Sequence, residues 1–249
     1  MGAATLSGWA TALRSFGVLL FAALCARAVL LGGLSEVRYA EDWRPPGAVH
    51  TVEVDADRGD LDVRAGEELW VAREALGPPG ALNLRHEVID GTLRLSGRCR
   101  AYLGCAVRHQ LTLPAGVRLQ VRLGEGQARV EGVAALQLQI SRGSAEVIGA
   151  ELAEITVGEG TLSVKSISPA GLDLVVARGA LSLQLPPGTW PVQAAGAPLS
   201  VSGLAIRPVQ PGDPALSARA PGGALRVWAE ADPAPRPRSS PGAAAGPPW

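Results

Sequence analysis

Four segments of this chain share one grammar: "LGEGQARVEG" from Leu123, "ISRGSAEVIG" from Ile140, "VGEGTLSVKS" from Val157 and "VARGALSLQL" from Val176, at offsets of 17, 17 and 19 residues. Each has a strand of alternating apolar residues, a short polar corner ending in Gly, and a second alternating strand. Before the corner the apolar positions are Leu119, Val121 and Leu123; Leu136, Leu138 and Ile140; Ile155 and Val157; Leu172, Leu174 and Val176. After it they are Val130; Val147; Leu162 and Val164; Leu181 and Leu183. A period of two within each arm means a strand with one buried face. Two weaker copies follow, at "APLSVSG" and "GGALRVWAE", separated by the Pro-rich loop "RPVQPGDP" from Arg207 to Pro214.

A repeat this short cannot bury its own apolar face, so each unit must cover its row with the next. The fold expected is all-β: a parallel β-solenoid, β-helix-like, with about 17 to 19 residues per coil. The alternative is an antiparallel meander or sandwich, because Gly-containing three-residue corners also build hairpins. Similarity of whole units, the same strand after the same corner, favours stacking. The corner glycines at 126, 143, 160 and 179 take backbone angles closed to β-branched neighbours. They do not form a phosphate loop. Arg129 stands where a third Gly is needed after Gly124 and Gly126, no helical segment follows, and Glu125 repels phosphate.

Upstream, alternation continues from Ala48 to Pro114, with Val52 and Val54, Leu61 and Val63, Leu69 and Val71, Leu93 and Leu95, and Leu111 and Leu113 facing inward. No sharp boundary is expected at Pro114. The expected organisation is therefore an N-terminal membrane anchor or signal segment over residues 1–40, one β domain over 41–231, and a disordered Pro, Ala and Gly-rich tail over 232–249.

The frame "VEVDADRGDLDV", then "LTLPAGVRLQVRLGEGQARVEGV", then serial G-x-apolar-x-apolar rungs, resembles the bacterial putative-adhesin domains of unknown function over about residues 48 to 230. The resemblance implies a parallel β-helix exported behind an N-terminal membrane segment. It carries no catalytic residues. Some members have a cysteine pair ahead of the "LP-G-V" stretch, and Cys99 and Cys105 sit there in this chain.

The N-terminus supports export on its own terms. Arg14 precedes an apolar run from Ser15 to Leu34, broken only by Arg27. About 20 apolar residues suffice to span a bilayer if Arg27 reaches the headgroups. Ala26-Arg27-Ala28 offers a signal-peptidase site instead, but cleavage there leaves "VLLGGL" on the mature end. A lipoprotein role for Cys25 is weak, because Leu24 occupies a small-residue position. The expected location is a single-pass cell membrane protein with its C-terminal domain outside the cytoplasm. In that oxidising compartment the reading for Cys99 and Cys105 is a local disulfide. The alternatives are a zinc site with His109 and two buried free thiols.

Composition closes off other classes. There are 23 basic and 23 acidic residues and no Lys/Arg block, which excludes a nucleic-acid partner. Asp55, Asp57, Asp60 and Asp62 form an oxygen-rich run, but the alternation makes Asp60 and Asp62 outward residues around a Gly59 turn, and the spacing lacks the closing Glu of a calcium loop. His50, His86 and His109 are unaccompanied by a nucleophile elbow. His109 lies in phase with Val107 and Leu111, which marks it as a satisfied core or rim residue. We assign no catalytic, cofactor-binding or metal residue. Function is expected in adhesion or binding of an envelope protein or glycan by a non-enzymatic protein. An envelope-stress sensing accessory or a polysaccharide-active enzyme are the alternatives. Stability should follow the inward set Val130, Val147, Leu162 and Leu181, and binding the outward set Arg129, Glu146, Ser163 and Ser182.

Overall fold

The structure, a computed structural model, describes residues 37–78, 80–99, 105–165, 171–196, 199–202, 205–207 and 216–229. The expected anchor at Ser15–Leu34, the tail at 232–249 and most of the loop at 207–214 lie outside the described residues. Those described form fifteen β-strands and no helix: β1 (Val37–Trp43), β2 (Thr51–Ala65), β3 (Trp70–Gly77), β4 (Leu82–Ile89), β5 (Thr92–Cys99), β6 (Ala106–Leu113), β7 (Arg118–Glu131), β8 (Ala135–Ile148), β9 (Leu152–Lys165), β10 (Leu172–Leu185), β11 (Thr189–Gly196), β12 (Leu199–Ser202), β13 (Ala205–Arg207), β14 (Leu216–Ala220) and β15 (Gly222–Ala229).

The four repeats are β7 to β10, and they pair in parallel. Leu119 lies beside Leu136, Leu136 beside Ala153, and Ala153 beside Leu172, so the register steps reproduce the sequence offsets. Each strand bends at its corner, where the inward phase switches. In β7, Leu119, Val121 and Leu123 are buried before the bend and Ala128 and Val130 after it. The two arms of each strand thereby aim their apolar residues at one another, and the rows of successive strands fuse into one aliphatic core. The inward set Val130, Val147, Leu162 and Leu181 is at most 1% exposed.

The bend explains the glycines. Gly59, Gly126, Gly143, Gly160 and Gly179 have φ of 150°, 151°, 140°, 142° and 130°. They stack in a column that Gly223 continues. A Cβ on any of the last four of these five would come well inside 3.0 Å of the carbonyl oxygen of the preceding column member. Backbone angle and close approach both demand Gly there. The residue two positions into each corner adds a ladder that the repeat did not advertise: Arg58, Glu125, Arg142, Glu159 and Arg178 lie side by side. Arg58 meets Glu125 at 2.9 Å, Arg142 meets Glu159 at 3.8 Å and Arg178 meets Glu159 at 3.4 Å. Alternating charge keeps like charges from facing each other along the bend, although such exposed pairs contribute only about 0 to 1 kcal/mol each.

Both ends depart from simple succession. β2 is itself a bent strand, and it pairs directly with β7 across the intervening segment. That segment stacks outside β2: β5 on its first arm, β6 on its second. In this layer β5 ends at Cys99 and β6 follows Cys105, and the Cα atoms of the two cysteines lie 5.8 Å apart. Further out the pairing turns antiparallel, β3 on β6, β1 on β3 and β4 on β5. At the other end, β14 and β15 pair directly with β10, while the earlier β11 and β12 pair with β14 and β15 from outside. The chain therefore passes outward and returns between Arg207 and Leu216 to insert its last unit. Alternation cannot encode that order, and it leaves Val201, beside buried Val227, 39% exposed at the rim.

Candidate binding faces and the polar end of the core

The outward faces of the arms carry polar columns repeating at the strand spacing of about 4.8 Å. On the second arm one column runs Asp62, Arg129, Glu146, Ser163 and Ser182, and its neighbour runs Asp60, Gln127, Ser144 and Thr161. Together they line a groove of about 510 Å³ that includes Arg129, Glu146 and Ser163, three of the four outward residues expected from the repeat. Ser182 lies one strand further along, outside that lining. The acids here are all engaged: Asp60 with Arg108 at 3.8 Å, Asp62 with Arg64 at 3.1 Å, and Glu146 with Arg129 at 3.2 Å and Lys165 at 2.7 Å. The hydrogen bond from Lys165 holds the Glu146 carboxyl below its ordinary range; partial burial opposes this, and the positive charges of Lys165 and Arg129 reinforce it.

A larger groove, about 940 Å³, lies on the first arm, where β4, β5, β2 and β7 lie side by side. Its charged lining includes Glu53, Asp55, Arg85, Arg94, Arg98 and Arg122. Arg94 pairs with Glu53 at 3.0 Å, Arg98 with Asp55 at 3.5 Å, and Arg85 donates to Asn83 at 3.3 Å. Arg122 makes no ion pair among the described residues. Sequence reasoning passed over this groove because β4 and β5 stand outside the repeat. The available signal was the alternation itself, which puts Asn83, Arg85 and Glu87, and Arg94, Ser96 and Arg98, on one outward phase.

The aspartate run does not converge. Asp55 belongs to the first arm, Asp60 and Asp62 to the second, and Asp57 accepts the Cys99 N–H at 3.4 Å. Each carboxylate has a different partner, and among the described residues no three ligating side chains cluster.

The end of the core near the N-terminus is polar where the rest is aliphatic. His109 continues the row of Leu61 and Ala128, followed outward by Arg73 and then Glu41. Arg73, 1% exposed, donates to Glu41, to the Arg85 carbonyl at 3.0 Å and to His86 Nδ1 at 2.9 Å. Trp43 packs on His86 with ring centres 4.4 Å apart. Burial would raise the Glu41 carboxyl, but hydrogen bonds from Tyr39 and Arg73, with the charge of Arg73, hold it lower. The same bond to Glu41 pushes the Tyr39 hydroxyl up. His109 corrects the sequence expectation: it is fully buried, yet neither ring nitrogen has a hydrogen-bond partner among the described residues. Burial, then the charge of Arg73, brings its pKa down to about 4, and Glu41 only partly opposes this. The ring stands neutral against Gly97 of the facing arm.

No family model matches the chain, and no curated protein is significantly similar to it. Solved structures do match. A "putative cell adhesion protein" of Clostridium sporogenes aligns with TM-score 0.48 and 12% identity, over 79% of this chain and 100% of that one. A "putative adhesin" of Parabacteroides merdae gives 0.31 and 10%, over 76% and 95%. Another of Bacteroides fragilis gives 0.24 and 10%, over 78% and 97%.

Proposed function

We propose that this chain is a non-enzymatic cell-envelope protein, anchored by Ser15–Leu34, whose exported β-solenoid binds an envelope component through the outward faces of its arms. The observation that carries the reading is the division of labour along every bent strand: an unbroken aliphatic inner row, and outside it columns of donors and acceptors that form two grooves. Such an outer face can engage an extended polymer at several strands in succession, each contact adding to the last. In the larger groove Arg122, without an ion pair among the described residues, offers a guanidinium suited to a carboxylate or phosphate on the bound component.

The acids argue for binding over hydrolysis. A glycosidase needs one carboxyl held up in its protonated form. Asp60, Asp62 and Glu146 in the second-arm groove are each ion-paired, and Glu146 is held down.

Protease protection of the membrane-embedded chain tests the anchoring: residues beyond Tyr39 should be attacked only from the outer side, and protection there overturns it. Co-sedimentation of the full chain, its anchor already held in phospholipid nanodiscs, with lipid-extracted envelopes, run beside a glycan-hydrolysis screen, tests the binding. Retention without turnover is expected. Turnover lost on substitution of one outward acid, with binding intact, would make the chain an enzyme.

A further inference from the structure

The two arms of the stack do not end level. Outward from β2, the second arm is extended by β6, β3 and β1, and the first arm only by β5 and β4. β1 overhangs by one strand, and among the described residues no strand lies opposite it. Its inward-phase residues are Val37, Tyr39, Glu41 and Trp43, in register with Gly77, Ala75, Arg73 and Val71. Glu41 and Trp43 find partners in the layer below, but Val37 is left 46% and Tyr39 40% exposed, and Val88 of β4 38%.

Both β1 and β4 also keep one free hydrogen-bonding edge among the described residues, since each pairs with a single neighbour. These edges are 7 and 8 residues long and contain no Pro. At the opposite end of the stack β12 and β13 are only 4 and 3 residues long. Short strands are a common way to blunt an edge, and the N-terminal end lacks that protection.

We propose that overhang and notch form a self-complementary joint between two copies of this chain. In a head-to-head pair, β1 of each copy adds to the free edge of the other's β4. Each copy lacks one strand on its first arm and supplies one from its second, so the count closes without remainder, as a two-fold isologous interface requires. The direction fits as well. The inner faces of the arms meet, Val107 and His109 of β6 against Gly97 of β5, and the proposed joint takes the arms on either side of the corner to run oppositely. Following the pairings outward, β4 is antiparallel to the first arm, and β1, two antiparallel steps beyond β6, keeps the direction of the second. β1 and β4 thus point the same way. A two-fold axis along that direction sets β1 of one copy parallel to β4 of the other, which is the pairing used through the body of the stack. It also brings both Val37 residues to the same side. Only Ser35 and Glu36 separate Val37 from Leu34, so the end of the apolar run is within about 10 Å of β1. Two anchors in one bilayer then share an axis normal to the membrane; this last point rests on the anchored reading above.

The test is photo-crosslinking of the full chain in phospholipid nanodiscs, mixing light and heavy-isotope copies, with p-benzoylphenylalanine replacing Val88. The result expected is a covalent light–heavy dimer whose bridge maps to residues 37–43, and no dimer when the probe replaces Val201. Attachment to phospholipid, to residues 1–36 of the same chain, or to another part of the second copy overturns the joint, as does no attachment. Val88→Lys, at a surface open in the single chain, should abolish the dimer while leaving hydrogen exchange in β8 and β9 unchanged; a persisting dimer also overturns it. A probe at Phe21 separates the two claims. Lipid capture at Phe21 without a dimer at Val88 sinks the joint alone, and a dimer without lipid capture sinks the anchor alone.

Discussion

Gly143→Ala isolates what the glycine column does. At φ 140° an alanine is strained by about 1 to 3 kcal/mol on backbone grounds alone. Its Cβ also falls well inside 3.0 Å of the Gly126 carbonyl oxygen, an immobile backbone atom, so β7 and β8 must separate locally. Losing one or two ladder hydrogen bonds there adds about 1 kcal/mol each. The total is about 2 to 5 kcal/mol. Gly116→Ala is the control: φ is 85°, but nothing lies within 4 Å of the new Cβ, so only the backbone cost of about 1 to 2 kcal/mol applies. Native-state hydrogen exchange of the full chain should show β7 and β8 amides opening about 30-fold more in Gly143→Ala than in Gly116→Ala, the factor for about 2 kcal/mol between the two. Equal exchange in the two variants would refute the argument from backbone contact.

The polar end predicts a pH response. His109 titrates near 4 when folded and near 6.5 when unfolded, so as pH falls the unfolded chain takes up its proton first. The His109 contribution to stability should decline between pH 6.5 and 4 by about 3 kcal/mol and level off below, where protonation of Glu41 and Glu146, both held low in the fold, continues the loss; His109→Leu should remove the His109 step in chemical denaturation. Val147→Asp puts an unpartnered carboxylate into the aliphatic row, and should cost several kcal/mol, about 3 or more, and free the neighbouring amides to exchange, whereas Glu146→Ala beside it should change stability by about 1 kcal/mol or less. The unreduced chain should have an intact mass about 2 daltons below the reduced one, reporting the Cys99–Cys105 bond; alkylation of Cys99 and Cys105 without reduction would contradict it.

Strand positions and inward phase were readable because alternation is local: a residue's exposure in β7 to β10 follows from its own parity and the corner beside it. The order of layers was not. β2 meets β7, and β15 meets β10, through pairings chosen by the whole chain, and no short window reports which strand a given edge will meet. His109 illustrates the same limit. Its phase showed that it points inward, but what surrounds it, buried Arg73 and the close backbone of Gly97, comes from β3 and β5 folding outside β2. The larger groove escaped for that reason too: its four arginines come from three strands, β4, β5 and β7, that only the first-arm stacking assembles.

The claim that inner rows hold the fold while outer columns bind is tested most directly by retention on lipid-extracted envelopes of two nanodisc-held outward variants, Arg122→Glu and Arg129→Glu, each first shown by hydrogen exchange to keep a native stack. Loss of retention in Arg122→Glu, or in both variants, with exchange unchanged is the result expected. Wild-type retention in both would contradict it, because the grooves would then be surface and the ligand would bind elsewhere.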